Sequence, residues 1–367
     1  MIQSRFEALT KALDAAEFSG IALNAGASLT YFTGLDFHLM ERPVVLLFIP
    51  SKKPVLILPQ LEAAKVTGIE GMEFFFYDED PDGWQAVFAE ALVFSGAVGA
   101  NLAVEPLQLR LLEYSLLQKS GRDLLCSDGS SLIAALRSRK DPDEIELLQK
   151  AVDIAQNALV STLSLIRIGM TEKELAGELV MQLFRHGSDA SLPFSPIVAS
   201  GPNGANPHSR PSARKLTEGD LLVIDWGAAH DGYVSDLTRT FAVGNIDAES
   251  AAIHEIVQQA NSAGRKAGGV GVPCDAVDRA ARQVIDKAGY GKFFTHRTGH
   301  GIGKQCHEEP YLRKGNGEIL AVGMTYTVEP GIYLPGKNGV RIEDDVVVTT
   351  EGVVSLSNLP RKIIQVG

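Results

Sequence analysis

At 367 residues the chain is long enough for about two domains, and its 45% hydrophobic and 22% charged composition excludes a disordered polymer. A formal net charge of −11 makes a nucleic-acid backbone or an anionic membrane surface a poor partner. No apolar run approaches the ~20 residues of a membrane helix, and Cys126, Cys274 and Cys306 are odd in number and widely spaced, so a soluble cytoplasmic protein with free thiols is expected.

The first twenty residues read as an amphipathic helix with Phe6, Leu9, Leu13 and Ala16 on one face, and they lack the apolar core of a signal peptide. Gly20 to Asn24, Pro43 to Ile49 and Pro54 to Leu58 are short apolar runs between Gly, Pro and polar residues, which predicts buried strands. Ser51 to Pro54 would turn the last two into a hairpin. Helical stretches follow at Gln60 to Val66 and Asp82 to Val93. Nothing in this part concentrates His, Cys and carboxylates, so it reads as a scaffold or regulatory domain.

The boundary lies at the string from Arg137 to Glu144, which divides the chain into domains of residues 1–135 and 136–367. Asp141 followed by Pro142, Asp143 and Glu144 is a helix start: a capping side chain, a proline in the first turn, and anions at the positive end of the dipole. Thr171 with Glu174 has the spacing of a second capping box. From Leu221 onward the texture changes to strands. Leu221 to Phe241 and Met324 to Val348 each look like two strands joined by a tight connection, and each carries two carboxylates. These are Asp225 with Asp236 and Glu329 with Glu343, separated by 11 and 14 positions.

An acid at the end of an apolar strand must be solvated or paired, because an isolated buried carboxylate is very costly. Arg239 is a candidate salt-bridge partner for Asp236. Four such acids on two similar hairpins predict something cationic between them. His300 sits in Thr-Gly-His-Gly-Ile-Gly, with His296 and His307 in the same segment. An imidazole with four carboxylates suits Mn²⁺, Co²⁺, Fe²⁺ or Zn²⁺ in a paired site. Two divalent ions would offset the four negative charges and leave a bridging hydroxide as nucleophile, which points to metal-assisted hydrolysis. The glycine spacing is not that of a dinucleotide fingerprint, and no serine elbow or phosphate-binding loop competes with this constellation.

The strings Ile-Asp-Trp-Gly-Ala, Ser-Asp-Leu-Thr-Arg-Thr, His-Arg-Thr-Gly-His-Gly-Ile-Gly, His-Glu-Glu-Pro, Val-Glu-Pro-Gly-Ile-Tyr and Arg-Ile-Glu-Asp-Asp occur in this order over residues 195–348. In this the chain resembles the pita-bread metallopeptidases, which include Xaa-Pro aminopeptidase, Xaa-Pro dipeptidase (prolidase) and methionine aminopeptidase. The resemblance implies a mixed α/β (α+β) chain: an N-terminal creatinase-like α/β domain, then a pita-bread domain with pseudo-twofold β-hairpins. It implies a dinuclear site held by Asp225, Asp236, His300, Glu329 and Glu343, with Asp236 and Glu343 between the two ions and Mn²⁺ expected ahead of Co²⁺ or Zn²⁺. His208 and His307 would act beside the scissile bond, and Glu329 would move the proton. His296 would line a proline pocket, and Arg341 would steady Asp236 or another ligand near the substrate.

The N-terminal domain and the Arg341-Ile342-Glu343 context favour the proline-specific branch, acting on short peptides with proline second. Whether a dipeptide or a longer peptide is preferred depends on cations such as Arg42, Arg210 or Arg297. A homodimer is also implied, with His38 and Arg42 near a partner's cleft. His38, His186, His230 and His254 lie outside the matching strings and read as surface residues. The competing readings are a methionine aminopeptidase, a creatinase-like amidinohydrolase and a non-catalytic binding protein. The intact ligand set disfavours the last two.

Overall fold

The computed structural model describes residues 2–367, and the chain divides between Arg137 and Ser138 into two units. The first is built around a six-stranded mixed sheet. In chain order its elements are α1 (Ile2–Ala15), β1 (Gly20–Asn24), α2 (Ala27–Thr33), β2 (Val45–Phe48), β3 (Val55–Pro59), a 3₁₀ stretch (Gln60–Val66) and β4 (Glu73–Tyr77). They continue with α3 (Pro81–Ser95), β5 (Asn101–Val104), α4 (Leu111–Ser120), β6 (Leu125–Asp128) and α5 (Ser130–Ser138). The strand order is β4-β3-β2-β1-β5-β6, with β1, β2 and β3 antiparallel and the flanking pairs parallel.

The central strands are apolar on both faces because helices cover both. Ile21, Leu23, Leu46 and Leu56 pack with Leu9, Leu13 and Phe32 of α1 and α2. Their neighbours Ala22, Val45, Leu47 and Ile57 point the other way, to Phe88, Leu92 and Leu117 of α3 and α4. The β2–β3 hairpin turns at Ser51, which takes a left-handed φ of 65°.

The second unit repeats one plan twice. Its first half runs α6 (Pro142–Leu163), α7 (Glu172–Arg185), β7 (Ile197–Ser200), β8 (Leu221–Trp226), β9 (Ala229–His230), β10 (Tyr233–Val234) and β11 (Leu237–Val243). Its second half runs α8 (Ala248–Ala267), α9 (Cys274–Lys287), β12 (Gly299–Gly301), β13 (Glu308–Leu312), β14 (Thr325–Val328), β15 (Gly331–Leu334), β16 (Asn338–Arg341) and β17 (Asp344–Thr349). Then come β18 (Gly352–Ser355) and β19 (Gln365–Val366). In each half a helix pair precedes a long hairpin, β8–β11 or β14–β17, that is interrupted by a short one, β9–β10 or β15–β16. The two main sheets run β19-β11-β8-β7 and β13-β12-β14-β17-β18. They meet at the bridge between Thr238 and Glu343, where the Glu343 N–H donates to the Thr238 carbonyl at 3.0 Å.

Local chemistry explains the helix starts. Asp141 and Thr171 cap α6 and α7, each in a reciprocal box with a glutamate three residues on, Glu144 and Glu174. Trp226 fills the core under β8, and its indole N–H donates to the Ala155 carbonyl of α6 at 2.8 Å. The expectation of a surface His254 is corrected here. It lies on the inner face of α8, 3% exposed, in a helix whose Ile253, Val257 and Ala260 face the core. Burial depresses its imidazole to about 4, so it is neutral at physiological pH.

Candidate metal centre

The interrupted hairpins put their acids at matching places. Asp225 sits near the end of β8, directly opposite Thr238, and Asp236 lies one residue before β11. Glu329 follows the last residue of β14 and Glu343 precedes the first of β17, where Val328 pairs with Asp344. The Thr238–Glu343 bridge brings the two hairpins side by side. Oxygens of Asp225, Asp236 and Glu343 lie within 4.8 Å of one another, and so do donor atoms of His300, Glu329 and Glu343. Asp236, His300 and His307 form a third such set. The five residues implied by the resemblance thus fall in three overlapping sets, with Asp236, His300 and Glu343 each common to two of the three.

The cluster is buried: Asp236 is 5% exposed and Glu343 and His300 2%. Burial raises the Asp225 carboxyl. It drives those of Asp236 and Glu343 well above the usual carboxylate range, helped by repulsion between the acids. Burial likewise lifts Glu329 to about 7. Among the described residues the basic side chain that pairs directly with these acids is Arg341, whose Nη2 lies 2.6 Å from Asp225 Oδ2, while Asp225 Oδ1 is buried with no hydrogen-bond partner among them. His300 Nδ1 is 3.1 Å from the Gly301 carbonyl, which favours a proton there and leaves Nε2 as a lone pair. That lone pair faces Asp236 Oδ2 at 3.6 Å and Glu329 Oε1 at 3.5 Å. A bare nitrogen aimed at carboxylate oxygens is repulsive unless a cation or proton lies among them. The donor set, the orphaned Asp225 oxygen and the raised carboxyls all fit divalent cations with oxygen and imidazole ligands.

The other expected residues fall at varied distances. His307 is exposed, its ring 4.1 Å from that of His300. His296 is half-buried, with Nε2 2.8 Å from the Tyr333 hydroxyl and Nδ1 3.8 Å from Glu329 Oε2. Burial, with Arg341 close by, lowers its imidazole to about 3. His208 is exposed on the segment after β7, and the preceding Pro207 carbonyl lies 3.4 Å from Arg341 Nη1. Arg341 is 3% exposed and also donates to Thr238 Oγ1 and the Tyr333 hydroxyl, each at 3.0 Å, so it stands behind Asp225. Arg210 is exposed, and Arg297 lies over the Tyr311 ring at 4.3 Å. In the first unit His38 is exposed, and Arg42 pairs with Glu79 at 3.1 Å and with Glu41.

Arg239 is not the partner of Asp236. Its guanidinium donates to Asp344 Oδ1 at 2.8 Å and to the Thr238 and Glu343 carbonyls, because the β11 side chain at this position points to the back of the sheet junction. Three contributors escaped the sequence. Thr238 donates from Oγ1 to Glu343 Oε2 at 2.6 Å, and Asp345 Oδ2 accepts the Asp236 N–H at 3.0 Å. Tyr333 joins His296 to Arg341. Only Thr238 had a signal, since it follows Asp236 by two positions and so shares its strand face. The Cys306 thiol donates to Asp236 Oδ2 at 3.0 Å, and burial holds it protonated.

Residues 146–350 match metallopeptidase family M24, and residues 5–139 match the creatinase/prolidase N-terminal domain. The chain is 36% identical over 339 residues to an Xaa-Pro dipeptidase of Lactobacillus helveticus, covering 92% of each. The structure of a dipeptidase from Pyrococcus horikoshii OT3 superposes with a TM-score of 0.92 at 37% identity, covering 99% of this chain and 100% of that one. A recombinant prolidase from Thermococcus sibiricus gives 0.92 at 35% identity, with coverages of 100% and 99%.

Proposed function

The chain belongs to metallopeptidase family M24, and from that premise we propose that it hydrolyses the Xaa-Pro bond of short peptides, dipeptides foremost, using two divalent cations. The observation that carries this is that Asp225, Asp236, His300, Glu329 and Glu343 fall in overlapping sets of close donor atoms, four of the five residues buried. The substrate class is supported by relatives and structural neighbours named Xaa-Pro dipeptidase and prolidase. Asp225 would serve one ion, His300 and Glu329 the other, and Asp236 and Glu343 both. Mn²⁺ is the first candidate and Co²⁺ or Zn²⁺ the alternatives, since all accept carboxylate and imidazole donors.

Such a cation pair supplies Lewis acidity toward the scissile carbonyl and acidifies the attacking water. The chain's own groups do the rest. Glu329 accepts the proton of the attacking water and delivers it to the proline nitrogen as the C–N bond breaks. His307 donates to the carbonyl oxygen as negative charge develops there. His208 holds the substrate beside the scissile bond, and His296 with Tyr333 walls the space for the proline ring. Arg341 opposes the effect of burial on Asp225 and orients its carboxylate. In this reading residues 136–367 carry the chemistry, residues 1–135 form a separate domain, and the protein is a cytoplasmic homodimer; the three free cysteines suit a reducing compartment.

The test is metal-stripped protein reconstituted with Mn²⁺ and offered an Xaa-Pro dipeptide, an Xaa-Pro-Xaa tripeptide and an Xaa-Ala dipeptide. Selective cleavage of the first is expected. Preference for the tripeptide would make it an aminopeptidase, and no cation-dependent cleavage of either proline peptide would overturn the substrate assignment.

A further inference from the structure

Glu172 is the first residue of α7 and is fully buried, yet among the described residues no Lys or Arg forms an ion pair with it, although the charge of Arg214 is felt there. Its charge is met by hydrogen bonds. Oε1 accepts from the Ser200 N–H at 2.7 Å, the Ser200 hydroxyl at 2.8 Å and the Asn203 amide at 3.1 Å. Oε2 accepts from the Asn203 amide at 3.0 Å, the Ser212 N–H at 3.0 Å and the Ser212 hydroxyl at 2.7 Å. The helix terminus answers in kind: the Glu172 and Lys173 N–H groups, unpartnered within the helix, donate to the Arg214 and Ser212 carbonyls at 3.0 and 3.1 Å. A carboxylate stays ionised when buried only if donors replace its water, and hydrogen bonds to a charge are about twice as strong as neutral ones.

The residues so gathered are the two ends of one loop. Ser200 closes β7, Ser212 lies twelve positions on, and His208 sits between them near the tip. The middle of the loop lies against β16, where a side chain on Gly339 would meet the Gly204 carbonyl oxygen at 1.9 Å. The tip is reached by Arg341, which contacts both Pro207 and Asp225. The loop is therefore closed at its base by one carboxylate and touches the metal centre at its far end.

We infer that Glu172 is a positioning residue, which by clasping both ends of the 200–212 loop sets how far His208 reaches toward the substrate. This rests on the proposed peptidase reading, in which His208 contacts substrate. Nothing in the sequence marks Glu172 beyond its place after a helix cap, because its partners lie 28 to 40 positions away.

The test is Glu172→Gln, which keeps the shape but turns one acceptor into a donor facing donors. Amide exchange at Ser200 and Ser212 should quicken while bound cation stoichiometry is unchanged. On an Xaa-Pro dipeptide kcat should fall about tenfold with KM changed by less than about threefold. In a His208→Ala background the same substitution should cause no further fall. If Glu172→Gln does not fold, Ser212→Ala should show the same pattern more weakly. Equal falls in the presence and absence of His208, unchanged kcat, or loss of cations would overturn the inference. If the wild-type protein cleaves no proline peptide, the peptidase reading fails by itself. The clasp is then judged by exchange, and unaltered protection of Ser200 and Ser212 in the variant would overturn it too.

Discussion

Asp225 and Arg341 meet at 2.6 Å between Oδ2 and Nη2, both nearly closed to solvent, while the other Asp225 oxygen is buried with no hydrogen-bond partner among the described residues. In the proposed reading the pair is half of a coordination: one oxygen is held by the guanidinium and the other would take a cation. Arg341→Met should therefore lower cation affinity by about 10–100-fold, as loss of a group that orients a ligand does. It should also destabilise the cation-free chain by about 3 kcal/mol, because a buried carboxylate is left unpaired. Titration calorimetry and chemical denaturation read the two effects separately.

Removing a ligand shared between donor sets should be more severe. Asp236→Ala and Glu343→Ala are each expected to abolish both tight cation binding and hydrolysis, whereas His307→Ala should lower turnover with the cations still bound. Metal analysis after dialysis, alongside rates, distinguishes them. Wild-type turnover in Asp236→Ala would sink the assignment.

The centre should also make the cation-free chain weaken as pH rises. Glu329 holds its proton up to about 7, against 4.5 for an ordinary glutamate. The unfolded chain loses that proton first, so the stability Glu329 contributes is complete below about 4.5 and is lost as pH climbs to about 7, by an amount on the order of 3 kcal/mol. Thermal melts of stripped protein across this window should show the decline. Saturating Mn²⁺ should abolish it and release protons on binding.

His254 acts with the opposite slope. Its imidazole is held at about 4 against an ordinary 6.5, so the unfolded chain takes up a proton first as pH falls. Stability is lost between 6.5 and 4, by an amount on the order of 3 kcal/mol, and stays level below that. His254→Gln should remove this acid-side slope without moving the one above. An unchanged melt profile in the variant would contradict a neutral buried imidazole.

The Tyr326 hydroxyl is buried with no hydrogen-bond partner among the described residues, and a Cβ on Gly268 would lie 2.1 Å from it. Tyr326→Phe should leave stability unchanged or raise it by about 1 kcal/mol. Gly268→Ala should cost about 2 kcal/mol in the wild-type background and less in Tyr326→Phe. A double-mutant cycle by urea denaturation measures the coupling, and additive effects would refute the clash.

Much of this was legible because it is local. Capping residues act across three positions, so Asp141 with Glu144 and Thr171 with Glu174 announce α6 and α7 by spacing alone. The apolar runs of β1, β2 and β3 are strands buried on both faces, a pattern composition reveals. The four acids stood out because each lies at or beside the end of an apolar strand. What stayed hidden depends on register between distant segments. Arg239 sits three residues from Asp236 yet pairs with Asp344, over a hundred positions away, since alternation on β11 turns it to the other face. His254 carries no motif, and only the packing of α8 decides that it is buried. Glu172 resembles any first-turn acid until the loop that it gathers is seen.

The doubled plan of the second unit has a kinetic corollary. Asp225 and Asp236 come from its first half, and His300, Glu329 and Glu343 from its second, with the Thr238–Glu343 bridge as the joint. The second half alone holds one close donor set, His300, Glu329 and Glu343, but neither half owns all five proposed ligands, so a cation pair would find its full site only once both have formed and docked. Such a cation pair would act as a late rivet, slowing departure from the native state and leaving the rate of arrival untouched. Resistance to proteolysis at the turn between the halves, near the exposed Asn245, becomes a gauge of cation occupancy.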